Sequence, residues 1–276
     1  MNDIYIHDKN ISYPDKDCEH MIKSEKAHDY TYNADFMYRL KGFKYRFVRT
    51  LIRILMIILV QPVCAVRYAL KVTGRRNIRK YFRLTDTKGM ISVCNHTTEW
   101  DSIFVMITRY FRFDEFPVWQ EGVESKSGML YRLVGGIPMP KSSLKGMGFA
   151  FRAMRDVVNE GKWLHVFPEA ACWAFYPAVR SFQQGAFQLA YELNKPVLPM
   201  AVKYRAPGGI YRLFKKHPNA CILIGEPLEA DCSLPKHEAV ADLTERARLS
   251  VMNLLGIENE EENAKIRGSL KTYHVE

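Results

Sequence analysis

Ile91-Ser-Val-Cys-Asn-His96-Thr-Thr-Glu-Trp-Asp101 is an apolar, strand-like run that stops abruptly at a histidine, with a carboxylate five positions later. Successive residues of a helix turn by about 100°, so positions five apart do not share a face. The histidine therefore has to precede the helix. With His96 in the loop and Asp101 in the second turn, the carboxylate reaches back to one imidazole nitrogen. The other nitrogen is left to take a proton, which is the arrangement of a general base and its orienting partner.

Spacing alone proves little, because His237 and Asp242 repeat it. That copy lies in a charged, helix-patterned surface segment, and no strand delivers it into a cleft.

Outward from the first pair, strand and helix patterns alternate. Residues 89–94, 116–120, 162–167, 196–204 and 220–224 read as strands; residues 102–111, 144–160, 184–193 and 236–255 read as helices. This alternation predicts an α/β fold, a largely parallel mixed sheet flanked by helices, preceded by an N-terminal membrane-associating helical segment. In such sheets the loops at the carboxyl ends of the strands build the site. His96 and Glu169 each follow an apolar strand, so they are expected to converge on one edge.

The chain of 276 residues, 47% hydrophobic, is long enough for one substantial core and a small accessory element. Its expected division is a polar tail over 1–35, a membrane-associating segment over 36–72, the catalytic domain over 73–258 and a polar C-terminal tail over 259–276. Six cysteines without a Cys-x-x-Cys pair indicate a reducing compartment. The excess of 40 Lys and Arg over 30 Asp and Glu, +10, points to a polyanionic partner. The uncharged stretch Ile54 to Val66 is shorter than the ~20 residues of a simple span. Lys41, Lys44, Arg46, Arg49 and Arg53 precede it, and Arg67, Lys71, Arg75, Arg76, Arg79 and Lys80 follow it. Cations at both ends favour an interfacial helix, or a hairpin broken near Pro62, on the cytoplasmic face of a membrane. They flank an apolar segment instead of alternating with aromatics on a recognition element, so no nucleic acid partner is expected.

Four further blocks accompany the first. Asn95-His96-Thr97-Thr98-Glu99-Trp100-Asp101 is followed by Leu133-Val-Gly-Gly136-Ile-Pro-Met-Pro-Lys141 and Val166-Phe-Pro168-Glu169-Ala-Ala. Arg180-Ser-Phe-Gln-Gln-Gly185-Ala-Phe and Pro196-Val-Leu-Pro199-Met-Ala-Val come next. Together, from about Val72 to Pro227, they resemble the ordered signatures of the glycerolipid acyltransferases, the 1-acyl-glycerol-3-phosphate acyltransferase family. Two departures stand out: Pro140-Lys141 replaces an acidic-Arg pair, and Ala170-Ala171-Cys172 follows Glu169 where Gly-Thr-Arg is usual.

The resemblance implies a membrane-associated O-acyltransferase acting on a lysophospholipid, foremost 1-acyl-glycerol-3-phosphate, with acyl-CoA or acyl carrier protein as donor substrate and no cofactor. It implies His96 as base, Asp101 as its orienter, Glu169 as a substrate-binding residue, and Arg180 and Lys141 as phosphate holders, Arg180 offering the forked geometry. Another acceptor (a lyso-aminolipid or glycerol-3-phosphate) and a thioester or lipid hydrolase remain as alternatives. Cys94, two residues before His96, is a weak candidate for a thiol nucleophile. No clustered His, Cys and carboxylate set has metal-ligand spacing, so no metal is expected.

Overall fold

The computed structural model describes residues 5–6, 11–21, 25–84, 89–110, 115–208, 212 and 217–271. Among the described residues the strands are β1 (Lys71–Thr73), β2 (Met90–Cys94), β3 (Phe116–Trp119), β4 (Gly136–Met139), β5 (Trp163–Val166), β6 (Val197–Arg205) and β7 (Asn219–Ile224). β1, β7, β6, β2 and β5 form one sheet in that order, with only β6 and β7 antiparallel. β3 and β4 pair in parallel beside it. The helices are α1 (Phe43–Leu55), α2 (Gln61–Arg67), α3 (Arg75–Leu84), α4 (Asp101–Ile107), α5 (Gln120–Glu124), α6 (Gly128–Leu133), α7 (Leu144–Asn159), α8 (Gly185–Glu192), α9 (Lys236–Leu255) and α10 (Glu260–Lys271). This is the expected α/β architecture with a largely parallel mixed sheet.

β2 is buried at every position. It lies between β6 and β5, with Ile91 opposite both Val197 and Leu164. A central parallel strand is covered on both faces, so it reads as a continuous apolar run and not an alternation. Ile91 and Val93 face one core with residues of α7, α8 and α9; Met90 and Cys94 face another with residues of α3 and α4. Ser143 caps α7 by accepting the Gly146 N–H at 3.0 Å, a contact worth about 1 kcal/mol over alanine. α9 stops at Gly256, whose φ of 86° is the left-handed conformation that ends helices.

Four expectations are corrected. Asp101 opens α4 and so stands in its first turn, not its second. That helix ends at Ile107 and not at 111, and Phe111 lies outside the described residues. The residues described within 1–35 are not a loose tail. Tyr32 is buried in the core, Tyr13 stacks on Trp173, and Asp17 accepts from Arg267 at 2.6 Å. Just beyond, buried Arg39 donates to Glu115 at 2.5 and 2.9 Å and to Glu160 at 2.8 and 2.7 Å. Apolar and aromatic anchors at wide spacing tie a polar segment down without giving it a hydrophobic period. Within 259–276 the described residues likewise form α10, Glu260–Lys271, instead of a tail. Its Glu260, Glu261 and Glu262 occupy the first turn, where negative charge complements the helix dipole, and Asn263 exchanges two 2.9 Å bonds with the Val179 backbone.

The segment expected to meet a membrane is one continuous helix over Phe43–Arg67, long and apolar enough to cross a membrane by length and composition. No hairpin forms at Pro62, because a π-helical turn at Met56–Val60 carries the chain into α2, where the proline occupies the first turn. Phe43, Phe47, Leu51, Ile54 and Ile58 form an exposed stripe. On the other side Arg49 donates to Leu133 O at 3.0 Å and Arg53 to Tyr110 O at 3.2 Å, docking the helix on the domain.

Candidate active site

β2 and β5 are parallel neighbours, with Val93 opposite Val166. The chain leaving β2 at Cys94 and the chain leaving β5 at Val166 therefore emerge side by side, and they carry His96 and Glu169 to one edge. His96 Nδ1 lies 3.0 Å from Asp101 Oδ2. The carboxylate is fully buried and accepts the N–H groups of Thr97 and Thr98 at 2.5 and 2.7 Å, the Thr98 hydroxyl at 2.9 Å and the Tyr204 hydroxyl at 3.2 Å. Because Asp101 starts the helix, the turn before it folds its own amides onto the side chain. A carboxylate so held cannot follow the imidazole; the imidazole is oriented by it.

The Phe167 ring stacks on His96 with centroids 4.0 Å apart and 14° between planes. Burial works against a charged imidazole, but interaction with the Cys172 side chain, and hydrogen bonds to Asp101 and Cys172, outweigh it and push its pKa up to about 10.

Glu169 and Arg180 are both brought to His96, but to its backbone. Glu169 Oε2 accepts the His96 N–H at 3.0 Å, and Oε1 accepts the Arg180 N–H at 3.0 Å. Arg180 Nη2 donates to Glu169 Oε2 at 2.7 Å and to His96 O at 3.2 Å, Nη1 donates to Asp17 O at 2.7 Å, and the guanidinium lies over Trp173. Arg180 is fully buried and Glu169 nearly so. The expectation that Arg180 holds a phosphate is corrected by this burial, since its fork is spent on protein groups. Glu169, expected to bind substrate, turns its two oxygens to the backbone N–H groups of His96 and Arg180 and is not among the residues that line the cavity. Lys141 stands apart, on the rim of the cavity beside His96.

That cavity has a volume of about 470 Å³, within the ~300–1,000 Å³ of small-molecule sites. Met139, Met147, Phe151, Leu164 and Leu189 give it an apolar wall, and His96, Cys172 and Lys141 line it as polar groups. His20 also lines it, stacked on Trp119, so the N-terminal segment contributes directly to the site. Below the wall, Trp163 donates to Ser92 Oγ, and Ser92 lies 2.7 Å from His165 Nδ1. Burial first, and the charge of His96 second, push the His165 pKa down to about 3.

Sequence reasoning missed Cys172, Tyr204, His20 and Phe167. The departure after Glu169 marked Cys172 in advance, whereas nothing in sequence marked Tyr204 or His20. Cys94, the thiol nearest in sequence to His96, is buried and bonds to Asn95; burial holds its thiol far above its ordinary range.

Residues 69–203 match the family model described as Acyltransferase. The fold is similar to that of the 1-acyl-sn-glycerophosphate (LPA) acyltransferase PlsC from Thermotoga maritima. The TM-score is 0.52, at 19% sequence identity, over 78% of this chain and 84% of that one. No curated protein sequence matches the chain significantly. The matched segment holds the strand that delivers His96 and the loop that holds Glu169 and Arg180, and this likeness supports reading the enzyme as an acyltransferase.

Proposed function

We propose that the enzyme transfers a fatty acyl group from acyl-CoA or acyl carrier protein to the free hydroxyl of a lysophospholipid, with 1-acyl-glycerol-3-phosphate giving phosphatidate as the leading reaction. The observation that carries this reading is the placement of the His96–Asp101 pair at the wall of an apolar cavity rimmed by Lys141. The cavity suits an acyl chain, and the ammonium suits an acceptor phosphate, as a point charge without the directional fork of arginine. In its neutral form, a minority at neutral pH because its proton affinity is raised, His96 takes the proton of the attacking hydroxyl and returns it to the departing thiolate. General-base help of this kind supplies about 10²–10⁴-fold of the rate.

The apolar stripe of Phe43–Arg67 and its flanking cations support attachment to the surface of an anionic membrane, on the cytoplasmic face. Because Arg49 and Arg53 tie the opposite side of α1 to the domain, the helix lies along the interface with its stripe in the acyl region.

The test is thiol release from palmitoyl-CoA in mixed micelles, with and without 1-acyl-glycerol-3-phosphate, beside His96→Ala. Release that depends on the acceptor and is lost in the variant is expected. Acceptor-independent release indicates a hydrolase. Release only with glycerol-3-phosphate or a lyso-aminolipid moves the assignment to that acceptor.

A further inference from the structure

We propose that His20 belongs to the substrate site, where its imidazole hydrogen-bonds a phosphate monoester held together with the Lys141 ammonium. The proposal deepens the acyltransferase reading above, on which it rests for the identity of the phosphate, by bringing a residue of the N-terminal segment into substrate recognition.

The smaller sheet puts the two groups on one edge. β3 and β4 are parallel, with Trp119 opposite Met139 at their carboxyl ends, so Trp119 and the chain that runs on to Lys141 emerge side by side. Gln120 Oε1 ties the two exits together by accepting the Ser142 N–H at 3.3 Å and the Ser142 hydroxyl at 3.0 Å. The His20 ring stacks on Trp119 with centroids 5.1 Å apart and 28° between planes. His20, Trp119 and Lys141 all line the cavity that holds His96. The segment before His20 is tied in turn to the clamp around the base: Asp17 O accepts from Arg180 Nη1 at 2.7 Å, and Glu19 O accepts from the Trp173 indole N–H at 2.8 Å. Held on both sides, the imidazole is ordered before any ligand arrives, which lowers the entropy lost on binding.

The ring also has unused hydrogen-bonding capacity. His20 Nε2 is buried and has no hydrogen-bond partner among the described residues, a state that costs free energy until a polar atom is brought to it. Burial first, and the Lys141 ammonium second, push the His20 pKa down to about 4, with Glu121 acting in the opposite sense. At neutral pH the ring is therefore neutral and offers one N–H and one lone pair. The ammonium on the same wall selects an anion, and a phosphate oxygen accepts from both groups. Lys141 attracts a phosphate as a point charge without direction, and the Arg180 fork is spent on protein groups. The imidazole N–H supplies the direction. His20 lies outside the residues 69–203 that match the Acyltransferase model, so this contact is no part of what that match carries. Two substrates bear such a phosphate: a lysophospholipid of the 1-acyl-glycerol-3-phosphate type, and CoA through the phosphate on its ribose.

The experiment has two arms. In the first, thiol release by the full chain in mixed micelles is compared for the wild type, for His20→Phe, which keeps a ring for Trp119 and removes both nitrogens, and for His20→Gln, which restores an N–H. His20→Phe should raise KM for 1-acyl-glycerol-3-phosphate at least tenfold, far more than it lowers kcat, and cut the preference for that acceptor over 1-acylglycerol by the same factor. His20→Gln should recover most of the loss. A tenfold rise in KM for palmitoyl-CoA that is absent with palmitoyl-N-acetylcysteamine, which has no phosphate, assigns the contact to the donor. In the second arm, the imidazole nitrogen resonance of His20 in the wild-type chain, identified by its loss in His20→Gln, is followed as glycerol-3-phosphate or CoA is added, and a saturable shift is expected. KM values within about twofold of wild type for both substrates, in a His20→Phe chain that thermal unfolding shows to be folded, overturn the proposal. Equal losses on phosphate-bearing and phosphate-free substrates also overturn it. A resonance that neither compound moves overturns it even if His20→Phe does not fold. A saturable shift in a wild type that releases no thiol with any acceptor overturns the acyltransferase reading and leaves the phosphate contact standing.

Discussion

Glu169 Oε2 accepts the backbone N–H of His96 at 3.0 Å, so the acidic residue of the second loop acts on the first loop and not on the cavity. Arg180 completes the clamp by bonding His96 O and Glu169 together. The buried pair therefore fixes the peptide on both sides of the base. Glu169→Gln is expected to cost about 3 kcal/mol of folding stability, the scale for uncoupling one partner of a buried ion pair. It should lower kcat far more than it raises KM. A raised KM at unchanged kcat, with the fold intact by denaturant titration, would show that Glu169 touches the acceptor after all.

Asp101 is held by two amides and three hydroxyls in addition to the imidazole. Asp101→Asn should leave the fold in place and reduce kcat by about 10²–10⁴-fold, the full value of general-base help, because the amide no longer stabilises the imidazolium. Exposed His237 lies far from any cavity-lining residue in sequence and pairs with Glu238 at 3.6 Å on the surface. His237→Ala should retain wild-type turnover in the same assay.

The two histidines near the site impose opposite pH dependences on stability. His165 has a folded pKa near 3, below its unfolded value of about 6.5. The unfolded chain therefore takes up the proton first, and stability present above about 6.5 is lost as pH falls toward 3. His96, pushed up to about 10, contributes stability that is present below 6.5 and lost as pH rises through 10. Denaturant midpoints measured from pH 4 to 10 should show both limbs. His165→Asn should flatten the acid limb alone, and Cys172→Ala should move the alkaline limb to lower pH.

Ala170 is exposed and adopts φ of 62°, a left-handed conformation that costs an L-residue about 1–2 kcal/mol. Glycine avoids that cost but loses more chain entropy on folding, so Ala170→Gly should gain up to about 1 kcal/mol. Thermal unfolding measures it; a fall in Tm would mean that the methyl group makes a contact that outweighs the strain.

Deleting residues 1–72 is a poor test of membrane binding, since it removes Arg39 from Glu115 and strips Tyr32 and Tyr38 from the core. Phe47→Glu with Ile58→Glu changes only the exposed stripe. It should leave the thermal transition unmoved and abolish co-sedimentation with vesicles of anionic phospholipid. Undiminished binding by the double variant would place the membrane contact elsewhere on the protein.

The alternation of strands and helices, the burial of β2 and the convergence of His96 with Glu169 were legible in the residues. Hydrophobic period and strand–loop–helix order are local properties, and parallel strands necessarily present their carboxyl ends together. The pairing of His96 with Asp101 was legible for the same reason, although a one-turn displacement put Asp101 at the start of the helix, where the amides of Thr97 and Thr98 hold it. Only the tertiary structure decided what the charges face. It buried Arg180, turned Glu169 toward the backbone of His96, drew the polar N-terminal segment down through widely spaced aromatic anchors, and placed Cys172 on the same cavity as a histidine 76 positions away. Each of these depends on contacts between segments distant in the chain, whose energies come from burial and charge pairing and leave no periodic trace in the sequence.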